Sequence, residues 1–167
     1  MTTTTAGLAP RSATGAGKAI LYAWLVAGAL DIGDAIVMTL LHGKSPVRML
    51  QGIASALLDK ETAAHGGLAT AAFGLGLHFA IMLVMVSAFV FAARRVPALA
   101  RWPWVSGPAY GLVLWTVMNK IVLPLRWPGP PAPFKWEAFL NQIFAHTVLV
   151  GLPIALITAM MLRRAAR

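Results

Sequence analysis

The chain contains no cysteine. That excludes disulfides, thiolate metal sites and thiol redox chemistry, and it leaves the compartment open. Charge is also scarce. Only 11% of the residues are Asp, Glu, Lys or Arg, against about 25% in an ordinary soluble domain. Acids are the scarcest of all, at five in 167 residues against 14 Lys and Arg, for a net charge of +9. The motifs of common enzymes are missing too: there is no nucleophile elbow, no HExxH and no phosphate-binding glycine loop. The stretch GAGKA at 15–19 lacks the spacing of such a loop and the Ser or Thr after its lysine. Ser45, Ser55, Ser87 and Ser106 have no evident His–Asp partners in the sequence. The chain therefore reads as a non-enzyme.

What is abundant is apolar. Hydrophobic residues make up 59% of the chain, and the mean hydropathy is +0.74. They gather into four blocks, at about 18–41, 67–93, 102–125 and 136–162. Each is long enough as a helix to cross about 30 Å of hydrocarbon. The expected fold is an all-α membrane protein, a bundle of four transmembrane helices occupying residues 18–164. Residues 1–17, MTTTTAGLAPRSATGAG, are small and polar and read as a disordered tail. A signal peptide fits poorly, because the apolar block that follows is too long and carries two aspartates.

Between the first two blocks, Ser45–Pro46 is a helix-start signal. Val47, Leu50, Ile53, Ala54, Leu57 and Leu58 then recur at helical spacing, with Arg48, Gln51, Ser55 and Asp59 on the other side. This stretch, about 46–59, is too short to span. It is expected to be an amphipathic helix in the headgroup interface or over the mouth of the bundle. RWPGPPAPFKW at 126–136, with four prolines, is a stiff loop. Trp102, Trp104, Trp127 and Trp136 suit the aromatic belts at the two interfaces.

Basic residues set the orientation. Arg11, Lys18, Arg94, Arg95, Arg101, Arg163, Arg164 and Arg167 lie on the side of the termini; Lys44, Arg48, Lys60, Arg126 and Lys135 lie opposite. The excess predicts cytoplasmic termini. Because these residues flank apolar blocks and show no interleaved aromatic stripe, the expected partner is an anionic lipid headgroup and not nucleic acid.

The first block contains ALDIGDAIV, which puts Asp31 and Asp34 on one helical face in mid-membrane. An acid there costs about 2.5–3.5 kcal/mol on the insertion scale, so an intramembrane acid is a functional hypothesis by default. Other polar residues in the blocks are His78, Asn119, Lys120, Asn141, Gln142 and His146. Counted from the outer ends of the spans at 1.5 Å per residue, Asp31, Asp34, His78, Asn119 and His146 fall within about one or two turns of each other. They form the candidate intramembrane site. Gly28, Gly74, Gly107 and Gly111 are the candidate helix-packing positions, since small residues let backbones approach. Asn141 and Gln142 read as interhelical hydrogen-bonding groups. Lys120 and Arg126 read as side chains reaching the outer interface, with Lys120 a candidate partner for Asp34.

The stretches GLGLHFAIMLVMVSAFVFAARRVP (74–97), MNKIVLPL (118–125) and PFKWEAFLNQIFAHTVLV (133–150) carry a pattern: a His in span two, a Pro-Leu exit from span three, a proline-rich loop, then an aromatic segment leading to a His in span four. In this pattern the last hundred or so residues resemble the YagU-like family, bacterial inner-membrane proteins built around a domain of unknown function. The resemblance implies a polytopic inner-membrane protein with a link to acid tolerance. It implies no reaction, and it does not reach the two aspartates. Three readings stand side by side: a proton- or cation-linked polar site, a non-catalytic assembly or scaffold subunit associating with copies of itself or other membrane chains, and a haem or divalent-metal protein using His78 and His146. The first needs no cofactor.

Overall fold

The computed structural model describes residues 13–130 and 133–165. It is all-helical, with no strand among the described residues. Helix α1 (Ala13–Leu41) is followed by the short helices α2 (Pro46–Ala54) and α3 (Lys60–His65). Then come α4 (Gly67–Arg95), a short α5 (Pro97–Arg101), α6 (Pro103–Arg126) and α7 (Trp136–Arg164). Helices α1, α4, α6 and α7 are each long and apolar enough to cross a membrane. An even number of crossings puts both ends of the bundle on one side.

Helix α1 starts at Ala13, so residues 13–17, read from sequence as tail, belong to the first helix, whose membrane-length segment is Gly15–Leu41. Nothing polar enough to stop the helix separates them from Lys18. The rest of the expected tail, 1–12, lies outside the described residues.

The outside of the bundle is as apolar as its inside. Val84, Val105 and Leu125 are 70%, 69% and 78% exposed. Such a surface is stable only against lipid. Inside, packing depends on small residues. Ala16, Ala19, Ala23 and Ala27 form a buried stripe on α1 that faces Met82, Val86, Phe89 and Val90 of α4 and Val150, Ile154 and Ala155 of α7. With no hydrophobic drive between helices in lipid, close backbone approach supplies the attraction. Tyr110 of α6 adds a hydrogen bond from its hydroxyl to the Met85 carbonyl at 2.7 Å.

Two spans depart from α geometry. Residues Met118–Val122 of α6 and Ala145–Gly151 of α7 are wound as π-helix. The Leu123 amide donates to Met118 and the Leu152 amide to Thr147, each reaching back five residues. Each segment lies just before a proline, Pro124 or Pro153. A proline cannot donate to the carbonyl four residues back and its ring crowds that carbonyl. Widening the preceding turn relieves both problems.

The connection between α1 and α4 is not one amphipathic helix over 46–59. Helix α2 ends at Ala54, and Asp59 starts α3 as its N-cap, accepting the Thr62 amide at 2.8 Å. The Thr62 hydrogen bonds hold the Asp59 carboxyl below the ordinary carboxylate range. The amphipathic pattern holds in part: Ala54 is buried and Arg48 and Asp59 are exposed, as expected. Gln51 and Ser55, on the expected water face, are buried, while Leu57 is exposed. Helix α2 packs along α4, where Gly74 lies against the Leu50 carbonyl. Gln51 Nε2 donates to the Gly67 carbonyl at 3.0 Å and the Ser55 hydroxyl to Gly52 at 2.7 Å, while Gln51 Oε1 has no partner among the described residues.

Arg126 does not extend freely to the interface. Its guanidinium donates to the carbonyls of Ala56 and Ser55 at 2.7 Å and of Leu58 at 3.0 Å. These are the unpaired carbonyls just past the end of α2, where a cation is electrostatically favoured. The end of α6 is thus fixed to the α2 segment.

Candidate functional site

His78 is buried on α4. Its Nε2 lies 3.1 Å from the Gly28 carbonyl of α1. A carbonyl can only accept, so Nε2 carries the proton. Gly28 makes the contact accessible. A Cβ there would collide with the Phe79 ring, which is T-shaped to both His78 and Trp24. Trp24 Nε1 in turn donates to the Phe79 carbonyl at 2.7 Å. The α1–α4 crossing is therefore pinned beside the histidine.

With Nε2 engaged, the other nitrogen of His78 faces an acid. Nδ1 is 3.9 Å from Asp31 Oδ2, with the two side chains 10% and 26% exposed. This is within ion-pair reach and beyond a direct hydrogen bond. A neutral His78 protonated on Nε2 turns a lone pair toward the carboxyl. That arrangement is favourable only if one proton resides on the pair, on Nδ1 or on the acid. Asp34 and His146 are also close enough to act electrostatically on Asp31.

Asp34, one turn along α1, accepts a hydrogen bond from Asn141 Nδ2 of α7 at 2.9 Å. Next to Asn141, Gln142 Oε1 accepts from Asn119 Nδ2 of α6 at 3.1 Å. The same Asn119 nitrogen lies 3.0 Å from the Trp115 carbonyl. His146 Nδ1 is 2.9 Å from the Gln142 carbonyl. The polar groups thus link the four spans in the order α4, α1, α7, α6. Asn119 and His146 both sit on the π-helical segments. A π turn rotates side chains relative to the α-helical register, so it helps determine which way these two point.

Of the five site residues expected from sequence, Asp31 and His78 are joined directly. Asp34 and Asn119 are joined through Asn141 and Gln142. His146 touches the network through the Gln142 backbone. Lys120 is not the partner of Asp34; its ammonium lies over the Trp115 ring, 5.8 Å from the centroid. Asn141 and Gln142 are the members that depth counting leaves in a supporting role. Their signal was the acid opposite: a carboxylate in the membrane needs a donor at its own depth.

A metal or haem iron shared by His78 and His146 would need a free nitrogen from each. Both His78 nitrogens face protein groups, Gly28 and Asp31. Among the described residues, no three His, Asp or Glu side chains converge as a metal site. The four expected packing glycines contact the chain itself. A side chain at Gly107 or Gly111 would meet the α7 backbone at Gly151–Leu152 or His146–Thr147, and one at Gly151 would meet Gly107.

The fold and this network define a polytopic α-helical membrane protein with an intramembrane acid–histidine cluster. No family model matches the chain, and neither does any curated protein or solved structure.

Proposed function

We infer that the chain is an inner-membrane protein, with cytoplasmic termini, whose Asp31–His78 pair binds and releases a proton. The observation that carries this is the 3.9 Å approach of His78 Nδ1 to Asp31 with Nε2 committed to Gly28. A largely buried pair holding one proton changes charge when that proton leaves, and in lipid the change is felt strongly by its neighbours. Asp34, Asn119, Asn141, Gln142 and His146 supply donors and acceptors around it. The YagU-like resemblance, with its link to acid tolerance, covers His78 but not Asp31, and so adds nothing to the reading of the acid.

The test is nitrogen-15 NMR of the histidines in lipid nanodiscs, titrated over about pH 4–9. The His78 Nδ1 resonance is expected to differ between the parent protein and Asp31→Asn, because the partner that shares its proton is then lost. A His78 Nδ1 resonance that is the same in both proteins throughout overturns the reading.

A further inference from the structure

We propose that the end of the bundle carrying the termini holds a specific anionic phospholipid, seated in a groove between α1 and α7. The groove encloses about 690 Å³ and is lined by Lys18, Tyr22 and Val26 of α1 and by Ile157, Met160 and Arg164 of α7. Its chemistry is divided along its length. Lys18 and Arg164 form the rim, and the other four side chains form the wall. From Lys18 to Val26 is eight residues, so the apolar wall continues for about 12 Å below the rim. That is the layout of a phospholipid: a charged headgroup at the interface and acyl chains along a hydrocarbon face.

Charge selects the headgroup. Neither Lys18 nor Arg164 makes a hydrogen bond or ion pair with any described residue. None of the five acids of the chain is at this end: Asp31 and Asp34 lie in the polar layer, and Asp59, Glu61 and Glu137 lie at the opposite end. Arg163, next to Arg164, is turned the other way and donates to the carbonyls of Ala100 and Arg101. Two cations at a membrane interface with no anion to meet them among the described residues attract a lipid phosphate, and basic pockets between spans are where such headgroups bind. The Tyr22 ring, half exposed on the same wall, suits the headgroup boundary. A zwitterionic lipid offers the same chains without net charge, so the site should discriminate between the two.

The experiment uses the full chain in nanodiscs of equal phosphatidylglycerol and phosphatidylcholine, released in the mass spectrometer and scored for retained lipid. Phosphatidylglycerol is expected to be retained over phosphatidylcholine. Lys18→Gln or Arg164→Gln should each reduce that preference about fivefold, and the pair about 30-fold. Lys44→Gln, which removes an exposed cation at the opposite end, should leave it unchanged. Thermal melts of all variants establish that they fold. Equal retention of both lipids, a preference unaltered in the double variant, displacement by inorganic phosphate, or a second copy of the chain occupying the groove would each overturn the proposal.

Discussion

Asn141 Nδ2 reaches the carboxylate of Asp34 at 2.9 Å, across 107 residues of sequence. This bond ties the N-terminal half of α7 to α1. It also gives a carboxylate in the membrane a donor that water would otherwise supply. Asn141→Ala is expected to destabilise the bundle by about 0.5–2 kcal/mol, the range for interhelical hydrogen bonds in lipid and for a polar group left unpaired. Thermal unfolding in detergent would measure it. In an Asp34→Asn background the same change should cost less, because the group left behind carries no charge. Equal losses in both backgrounds would mean that the two side chains are not coupled.

How much of this was visible in the sequence depends on the scale. The four spans were visible because hydropathy over some twenty residues is a strong, additive signal. The polar layer was visible because a span fixes depth along its axis. Rotation about that axis was not visible, and pairing depends on rotation. Asp34 therefore found Asn141, not Lys120. The π turns before Pro124 and Pro153 shift that rotation further, and a proline alone does not announce a π turn. The burial of two polar residues in and just after α2 was not visible for a related reason. Gln51 and Ser55 count as polar in a periodicity argument, yet each finds a carbonyl at close range and can be buried. Arg126 could equally have reached the interface from its position at the end of α6. What holds it is the cluster of carbonyls past α2, which only the fold brings near.

Gly74 and Gly76 provide a controlled comparison on one helix. Gly74 abuts the Leu50 carbonyl and the Ala54 amide of α2, whereas a Cβ at Gly76 meets nothing within 4 Å. Gly74→Ala should therefore displace α2 and cost about 1–3 kcal/mol, as overpacking does. Gly76→Ala should be neutral or mildly stabilising, since alanine is the better helix former. The two melting temperatures should move in different directions or by clearly different amounts. Similar losses would show that the α2–α4 contact is looser than its geometry requires.

Arg126→Ala should release α2 without unfolding the spans. Three charge-assisted hydrogen bonds to Ser55, Ala56 and Leu58 are lost at once. Hydrogen exchange should rise by about tenfold or more across residues 46–58, because hydrogen bonds to a charged group are worth about 1.5–3 kcal/mol. Arg126→Lys should recover only part of the protection, since an ammonium cannot reproduce the planar fork that reaches three carbonyls. Unchanged exchange in Arg126→Ala would assign the anchoring of α2 to its packing on α4 alone.

Pro153→Ala tests whether the π turn positions the N-terminal part of α7. With an amide at 153, the Leu149 carbonyl regains an α-helical donor and the reason for widening Ala145–Gly151 disappears. Closing a π turn removes one residue from the local register. That rotates the helix on one side of it by about 100° relative to the other, one residue's share of a 3.6-residue turn. His146 lies inside the segment and Asn141 just before it, so both should move relative to α1 and α6. His78 rests on α4 and Gly28, which this substitution does not touch. The His146 nitrogen resonances should therefore shift while those of His78 hold, and the coupling between Asn141 and Asp34 should weaken toward that of the Asn141→Ala protein. If both histidines keep their resonances, the widened turn is maintained by the crossing of Gly107 and Gly111 against α7. The proline would then accompany the π geometry without causing it.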